Sequence, residues 1–273
     1  MFFTTLKTFL TDLRLVFFPT HCLVCGRRLT PHEEHICAPC FMDLPLTNYN
    51  GTAGNPIERL FWAKIPIVRG NALFHYHPEN AYTNVIVQLK YNERTDLGIY
   101  LGRLMAKQVE KTDFFNGIDY IIPIPLSARR MRQRGYNQSE YIAKGIQQIT
   151  QIPIHTKAVK RIKNNVTQTH LNHEQRAKNV ANIFQLTQPI TTNNDHELKD
   201  KHILLIDDVL TTGSTIMACA SILATIPGIK ISIYTASVAG RHGAGVNLDQ
   251  EVLESNIKQF KNWTSTEDQE KTP

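Results

Sequence analysis

Residues Ile203 to Thr215 constrain the fold of this chain more than any other stretch. Ile203-Leu-Leu-Ile206 is an unbroken apolar run, followed by Asp207 and Asp208 and then by Thr211-Thr212-Gly213-Ser214-Thr215. A helical pattern follows from Ile216 to Ile226. A short continuous apolar run bounded by turn residues reads as a strand buried on both faces, the condition of a strand inside a parallel sheet. The segment therefore predicts strand, tight hydroxyl-rich turn, helix, with two carboxylates at the C-terminal edge of the strand. A helix start offers unpaired N–H groups and the positive end of its dipole, which suits a phosphate. The neighbouring acids suit ribose hydroxyls or a hydrated Mg2+ ion. Together they describe a site for a sugar phosphate.

The rest of the chain fits an α/β architecture. Strand patterns over 67–76, 120–124, 183–186, 201–206 and 230–238 alternate with helical patterns over 80–90, 97–111 and 138–149. Such alternation predicts a mainly parallel sheet flanked by helices, whose ligands bind beyond the C-terminal strand ends. The expected organisation is an N-terminal helix and four-cysteine module over 1–50, an α/β domain over 56–240 and a polar tail over 241–273. Thr47 to Pro56 reads as a linker by composition. With 273 residues and 42% hydrophobic content the chain can bury one good core plus a small accessory module.

Four of the five cysteines form two Cys-x2-Cys pairs, Cys22 with Cys25 and Cys37 with Cys40. Each pair presents two thiolates on one tight turn, and two such turns converge on a tetrahedral ion. Two disulfides are the competing arrangement. No secretory signal is evident in the apolar but charge-interrupted stretch Met1 to Phe18, so a cytoplasmic chain with reduced thiols is expected. Structural Zn2+ is the reading that follows, with Gly26 supplying the turn after the first pair. His21, His32 and His35 lie close by as loop residues, and Cys219 reads as a small core residue. Phe2, Phe3, Leu6, Phe9, Leu10, Leu13 and Phe17 fall at helical spacing, so an amphipathic N-terminal helix is expected. No stretch reaches the roughly 20 apolar residues of a transmembrane helix.

A basic segment follows the strand at 120–124. Arg129, Arg130, Arg132 and Arg134 fall within six residues, ahead of Gly135 and Asn137. Guanidinium groups match phosphate oxygens in a bidentate way, and Asn137 is placed to cap the helix that follows. A solvated basic loop is the plainer alternative. Arg161 to Leu171, with Thr167, Gln168 and His170, is polar and basic, as a loop closing over an anionic substrate would be. An ordinary exposed connection has the same composition. The net charge of +6 permits an anionic ligand or nucleic acid without requiring either.

These segments, in this order behind a four-cysteine module, resemble the ComF family of competence-associated, phosphoribosyltransferase-like proteins. The likeness rests on Asp207-Asp208-x-x-Thr211-Thr212-Gly213-Ser214-Thr215, on Arg134-Gly-Tyr-Asn-Gln-Ser-Glu140, on the spacing Gln168, Leu171, Arg176, Asn179, and on Leu89-Lys90-Tyr91. It covers roughly residues 15 to 240. The resemblance implies a type I phosphoribosyltransferase-like fold binding phosphoribosyl pyrophosphate with Mg2+. In that likeness Asp207 and Asp208 are the catalytic pair and hold the ribose hydroxyls, and Thr211 to Thr215 wrap the 5′-phosphate. Arg129 and Arg134 belong to a loop against pyrophosphate, Gln168 to the mobile loop, and Lys90 to the hood over an acceptor. Purine-specific enzymes of the fold commonly carry an Asp where this chain has Thr211, so the likeness carries over the sugar-phosphate site and not a purine acceptor. It implies either an active transferase or a nucleotide-binding scaffold in DNA uptake, with single-stranded DNA or competence and recombination proteins as partners.

Overall fold

The computed structural model describes residues 20–62, 64–91, 93–162, 183–190 and 196–239. The expected N-terminal helix, Gln168 with most of the polar loop, and the C-terminal tail lie outside these residues. The chain divides into two compact units, to which the described residues within 20–45 and 77–88, and within 46–76 and 89–239, respectively belong. Residues 77–88, distant in sequence, thus cluster with the cysteines.

The smaller unit is built on turns. Gly26 adopts φ +74°, the left-handed region that the first cysteine turn needs. His21 and Arg28 bridge across it as an antiparallel pair. The Glu33 carboxylate accepts from the amides of Thr30 at 2.9 Å and Ala38 at 2.6 Å, and from the Arg27 guanidinium at 2.6 Å. It thereby ties the first turn to helix α1 (Ala38–Met42), which starts directly after Cys37 with Pro39 in its first turn. Tyr82 donates to the carbonyl of Cys40 at 2.8 Å, and Asn84 to that of Leu23 at 2.7 Å.

The larger unit is a four-stranded parallel sheet. In chain order it comprises α2 (Pro56–Phe61), β1 (Arg69–Tyr76), the end of α3 (Thr83–Lys90), α4 (Thr95–Val109), β2 (Tyr120–Pro123), α5 (Ala128–Arg134), α6 (Gln138–Thr150), β3 (Val159–Arg161), β4 (Phe184–Leu186), β5 (His202–Leu210), α7 (Ser214–Leu223) and β6 (Lys230–Ala239). The strand order is β1-β6-β5-β2, and β3 and β4 form a separate antiparallel pair. Ile203, Leu204, Leu205 and Ile206 of β5 are fully buried, which is why the strand reads as one apolar run. On one sheet face Ile203, Leu205, Ile231 and Ile233 share a core with Ile57 and Phe61 of α2 and with Ile216, Ala220 and Leu223 of α7.

Helices α4 and α6 pack against one another and against the sheet. Leu97, Tyr100, Leu101, Leu104, Met105 and Val109 make one continuous buried stripe on α4. The two helices approach closely because Gly102 and Gly145 face one another. A Cβ on Gly102 would lie 2.0 Å from the carbonyl oxygen of Ile142, and one on Gly145 would lie 2.1 Å from that of Ile99. The buried Tyr234 hydroxyl lies 2.8 Å from the Met105 carbonyl and 2.6 Å from Oε1 of Gln108, so a satisfied polar contact pins α4 to β6.

Three local expectations change. The 47–56 stretch is not a free linker: Asn55 caps α2 through the amides of Ile57 and Glu58, and its Nδ2 donates to Gly70 at 2.7 Å. The arginine segment is not a loop. Ser127 caps α5 by accepting from Arg130 at 3.3 Å, and Gly135 closes it at φ +76°. Asn137 stands at the N-cap of α6 but its side chain caps nothing; its Nδ2 donates to the carbonyl of Ile124 at 3.1 Å. No helix among the described residues is long and apolar enough to cross a membrane.

Candidate functional site

Strand β5 does not stop before the acids. It continues through Asp207 and Asp208 to Leu210, with Asp207 level with Thr235, and Val209 and Leu210 level with Ser237 and Val238 of β6. The acids are therefore held by ladder geometry near the C-terminal edge rather than by a loose turn. Asp207 Oδ1 accepts from the Ser139 hydroxyl at 3.2 Å and from the Asp208 amide at 2.9 Å. Ser139 lies in the first turn of α6, so the fold of that helix positions the carboxylate. Burial, and then the adjacent Asp208 charge, push the Asp207 carboxyl up to about 7 against the opposing effect of these hydrogen bonds and of Lys90.

Asp208 faces a different partner. Lys90, the last residue of α3, places Nζ 3.5 Å from Asp208 Oδ2, both side chains being largely buried at 25% and 15% exposure. Tyr136, at the turn between α5 and α6, donates its hydroxyl to the carbonyl of Leu89 and so fixes the backbone beside Lys90. Arg161, the last residue of β3, stacks on Phe184 with 5.3 Å between guanidinium carbon and ring centroid. Burial lowers its guanidinium pKa and Arg130 lowers it further, while Asp207 acts in the opposite direction. Arg161 thus stands within electrostatic reach of both.

The turn after β5 exposes Thr211, Thr212 and Ser214, with Thr215 partly covered. Gly213 is the N-cap of α7 at φ +76°, and the Ser214 amide donates to Thr212 Oγ1 at 3.4 Å. The hydroxyls of Thr212 and Ser214 lie 3.1 Å apart. A Cβ on Gly213 would come within 3.2 Å of Leu60 and 3.3 Å of Phe61, so the glycine answers both the backbone angle and the packing of α2. First-turn amides, hydroxyls and a left-handed start are groups that suit an anion at this end of α7. On α5, Arg129, Arg130 and Arg132 are exposed, whereas Arg134 is half-buried and donates to Gln138 Oε1 at 2.9 Å. Its guanidinium carbon lies 5.8 Å from the Tyr91 ring centroid.

Of the residues singled out from sequence, the structure brings Lys90, Asp207 and Asp208 together directly. It sets Thr211 to Thr215 on the turn that follows, and Arg134 beside Tyr91. Arg129 projects into solvent, and Gln168 lies outside the described residues. Ser139 and Tyr136 carry positioning roles that composition does not reveal, although both fall inside the Arg134 to Glu140 motif.

In the smaller unit the sulfurs of Cys22, Cys25, Cys37 and Cys40 all lie within 4.8 Å of one another. Cys25 and Cys37 are 3.6 Å apart, far beyond a disulfide bond. A tetrahedron of thiolates about 2.3 Å from a central ion has edges of roughly 3.8 Å, so the cluster has the dimensions of a metal site. Burial raises the Cys22 pKa, but the amides of Cys25, Cys37 and Val24 outweigh it and leave it at about 7. Amides donating to sulfur favour the thiolate that a metal requires. Cys40 moves the other way, raised by burial and by the neighbouring thiols. Crowded thiols that resist ionising together are the donor set a divalent cation relieves.

The fold and these sites meet the comparisons as follows. Residues 136–269 match the phosphoribosyl transferase domain family, a span that includes α6, β5, α7 and β6. The DNA utilization protein YhgH of Escherichia coli K12 is 29% identical over 205 residues, 74% of this chain and 83% of that protein. Competence protein F of Haemophilus influenzae is 24% identical over 233 residues, 80% of this chain and 96% of that protein. Competence protein ComFC of Bacillus subtilis is 29% identical over 103 residues, 38% of this chain and 37% of that protein. The chain is thus similar to competence and DNA-utilization proteins of the ComF type over most of its length. Its parallel sheet with flanking helices is the type I phosphoribosyltransferase fold, and the chain also carries a four-cysteine cluster able to hold a metal ion.

Proposed function

We propose that this protein binds phosphoribosyl pyrophosphate, or a ribose 5-phosphate nucleotide, with Mg2+ at the C-terminal edge of its sheet. The observation that carries the reading is the conjunction of Asp207 and Asp208 on β5 with the first-turn amides and hydroxyls that start α7. A ribose diol accepts and donates, so it suits two carboxylates. A 5′-phosphate suits the first turn of α7. Where transfer occurs, the bond from the anomeric carbon to pyrophosphate breaks as the acceptor bond forms. The protein then acts by positioning and by charge. Lys90, Arg161 and the arginines of α5 supply positive charge around that edge, and Mg2+ would neutralise the leaving group. Cys22, Cys25, Cys37 and Cys40 hold a structural Zn2+ in this reading.

Calorimetric titration with phosphoribosyl pyrophosphate and Mg2+ tests the assignment. Saturable binding is expected, and loss of it in the Asp207→Ala, Asp208→Ala double variant. Unchanged affinity in that variant would sink the reading. Because relatives are named for competence and DNA utilization, we place the activity in the handling of incoming DNA. The exposure of Arg129, Arg130 and Arg132 favours an additional contact with single-stranded DNA. Its signature is an affinity that falls with salt and with loss of those arginines; binding insensitive to both removes it.

A further inference from the structure

Helix α3 (Thr83–Lys90) belongs to both compact units, because the division falls between Gln88 and Leu89. Its start is held by the cysteine turns. The Asn84 side chain donates to the carbonyl of Leu23, between Cys22 and Cys25, at 2.7 Å. Just ahead of the helix, the Tyr82 hydroxyl donates to the carbonyl of Cys40 itself at 2.8 Å. Both acceptors are backbone carbonyls of the turns that carry the sulfurs, so their positions follow the shape of those turns.

The end of the same helix is held by the candidate ribose edge. Lys90 places Nζ 3.5 Å from Asp208 Oδ2, and the Leu89 carbonyl accepts from the buried Tyr136 hydroxyl. Isolated helices shorter than roughly 12–15 residues are marginal in water, and α3 has only 8. It persists because both ends are docked and because Val85, Ile86 and Leu89 are buried. The hydrogen bonds of a helix fix the rise from one turn to the next, so a displacement at its start is passed to its end. The cysteine cluster is the part of this arrangement whose order depends on an ion. Metal binding to such a donor set is coupled to its folding, and without the ion four crowded sulfurs lose the group that ties the two turns together.

We propose that α3 couples the metal state of the cysteine cluster to the ribose edge: zinc loading sets how firmly Lys90 meets Asp208, and so how tightly that edge binds a sugar phosphate. This rests on the metal and phosphoribosyl readings above, and the experiment separates it from both. Ribose 5-phosphate with Mg2+ is titrated into the full chain, once zinc-loaded and once stripped of zinc by a chelator that is then removed. Stripping is expected to weaken binding at least about five-fold, the lower end of coupling between distinct sites. Linkage makes the effect reciprocal, so saturating ribose 5-phosphate is expected to tighten zinc by the same factor in competition with a chromophoric chelator. The double variant Tyr82→Phe, Asn84→Ala keeps all four cysteines and its zinc. In it, stripping is expected to change ribose 5-phosphate affinity by less than about two-fold, because the start of α3 no longer reads the turns. Lys90→Met, at the other end, is expected to remove the zinc dependence likewise. A stripped wild type that binds as tightly as the loaded one overturns the coupling alone, as does a zinc affinity that ignores ribose 5-phosphate. Equal loss of binding on stripping the wild type and the double variant also overturns it, since that outcome marks general unfolding. A zinc-loaded wild type that does not bind ribose 5-phosphate overturns the phosphoribosyl reading and the coupling with it, and a chain that takes up no zinc overturns the metal reading and the coupling.

Discussion

Replacing Gly102 with alanine is the sharpest test of how the site is held. Two effects oppose one another. Alanine is about 1 kcal/mol better than glycine in a helix interior, so an uncrowded α4 would gain stability. Here the new methyl would stand 2.0 Å from the Ile142 carbonyl oxygen, 2.8 Å from the Gly145 Cα and 2.9 Å from the Ile142 carbonyl carbon. Ordinary contact begins near 3.4 Å, so the helices must part locally by about 1.4 Å. Every clashing atom is backbone, and no rotamer change relieves it. Overpacking of a core costs roughly 1–3 kcal/mol. A backbone clash belongs at the upper end, because it also separates the buried stripe of α4 from Ile142 and Ile146. Against the helix gain, the net loss is about 2 kcal/mol, or a melting temperature lower by roughly 4–8 °C for a domain of this size. Thermal unfolding of the zinc-bound protein reads it directly. The displacement also moves Ser139, on the first turn of α6, relative to Asp207, so ribose 5-phosphate affinity is expected to fall with stability. A variant as stable as wild type, or more so, refutes the close crossing.

Other expectations are simpler. The folded pKa of Asp207 lies above its ordinary value of 3.8, at about 7, so its contribution to stability is fully present below about pH 4 and is lost as pH rises through about 7. Asp207→Asn should flatten that decline in urea midpoints measured across pH 4–8; an unaltered slope contradicts it. Cys22→Ser or Cys40→Ser should lower bound zinc per chain from about one to near zero by elemental analysis, and zinc retained at full stoichiometry removes the assignment. Tyr136→Phe removes the buried hydrogen bond to Leu89 and should cost about 1 kcal/mol in chemical denaturation. It should also loosen Lys90, visible as weaker ribose 5-phosphate binding.

What the sequence discloses about this chain follows from how strongly each element is buried. Ile203 to Ile206 is legible because a strand covered on both faces has no polar alternation to confuse with anything else. Its far end is not, because Asp207 and Asp208 resemble a turn until the pairing of Val209 and Leu210 with β6 is known. Helix α5 is short and exposed over nearly its whole length, so no apolar stripe announces it and its charges read as loop. The signals present were local ones, Ser127 before it and Gly135 after it. Asn55-Pro56 likewise offered a cap and a proline at the first helical position, inside a stretch whose composition reads as linker. Asn137 shows the limit of such signals. Its residue type suits a cap, yet its side chain donates to the Ile124 carbonyl and caps nothing. The clustering of residues 77–88 with the cysteines has no sequence signature, since it depends on contacts such as Asn84 to Leu23.

Some of the buried polar groups that the fold leaves unsatisfied lie near the candidate site. Among the described residues, Asn137 Oδ1, Gln138 Nε2 and Thr235 Oγ1 are buried atoms without a hydrogen-bond partner. Thr235 is level with Asp207 across the β5–β6 ladder, and Asn137 and Gln138 directly precede Ser139. Asn71 Oδ1 and His196 Nε2 are also unpaired, each in a side chain whose other polar atom is bonded, as is true of Asn137 and Gln138. An unpaired buried polar atom costs on the order of 1–3 kcal/mol, so a fold tolerates few of them without a use. Thr235 beside Asp207, whose carboxyl pKa burial and Asp208 raise to about 7, and Asn137 and Gln138 just before Ser139, are consistent with an edge that receives polar contacts from a ligand. Parallel strands impose the location, since their C-terminal ends gather the strand-to-helix turns. Under the phosphoribosyl reading the residues select the ligand: the acids suit hydroxyls, and the first turn of α7 suits a phosphate.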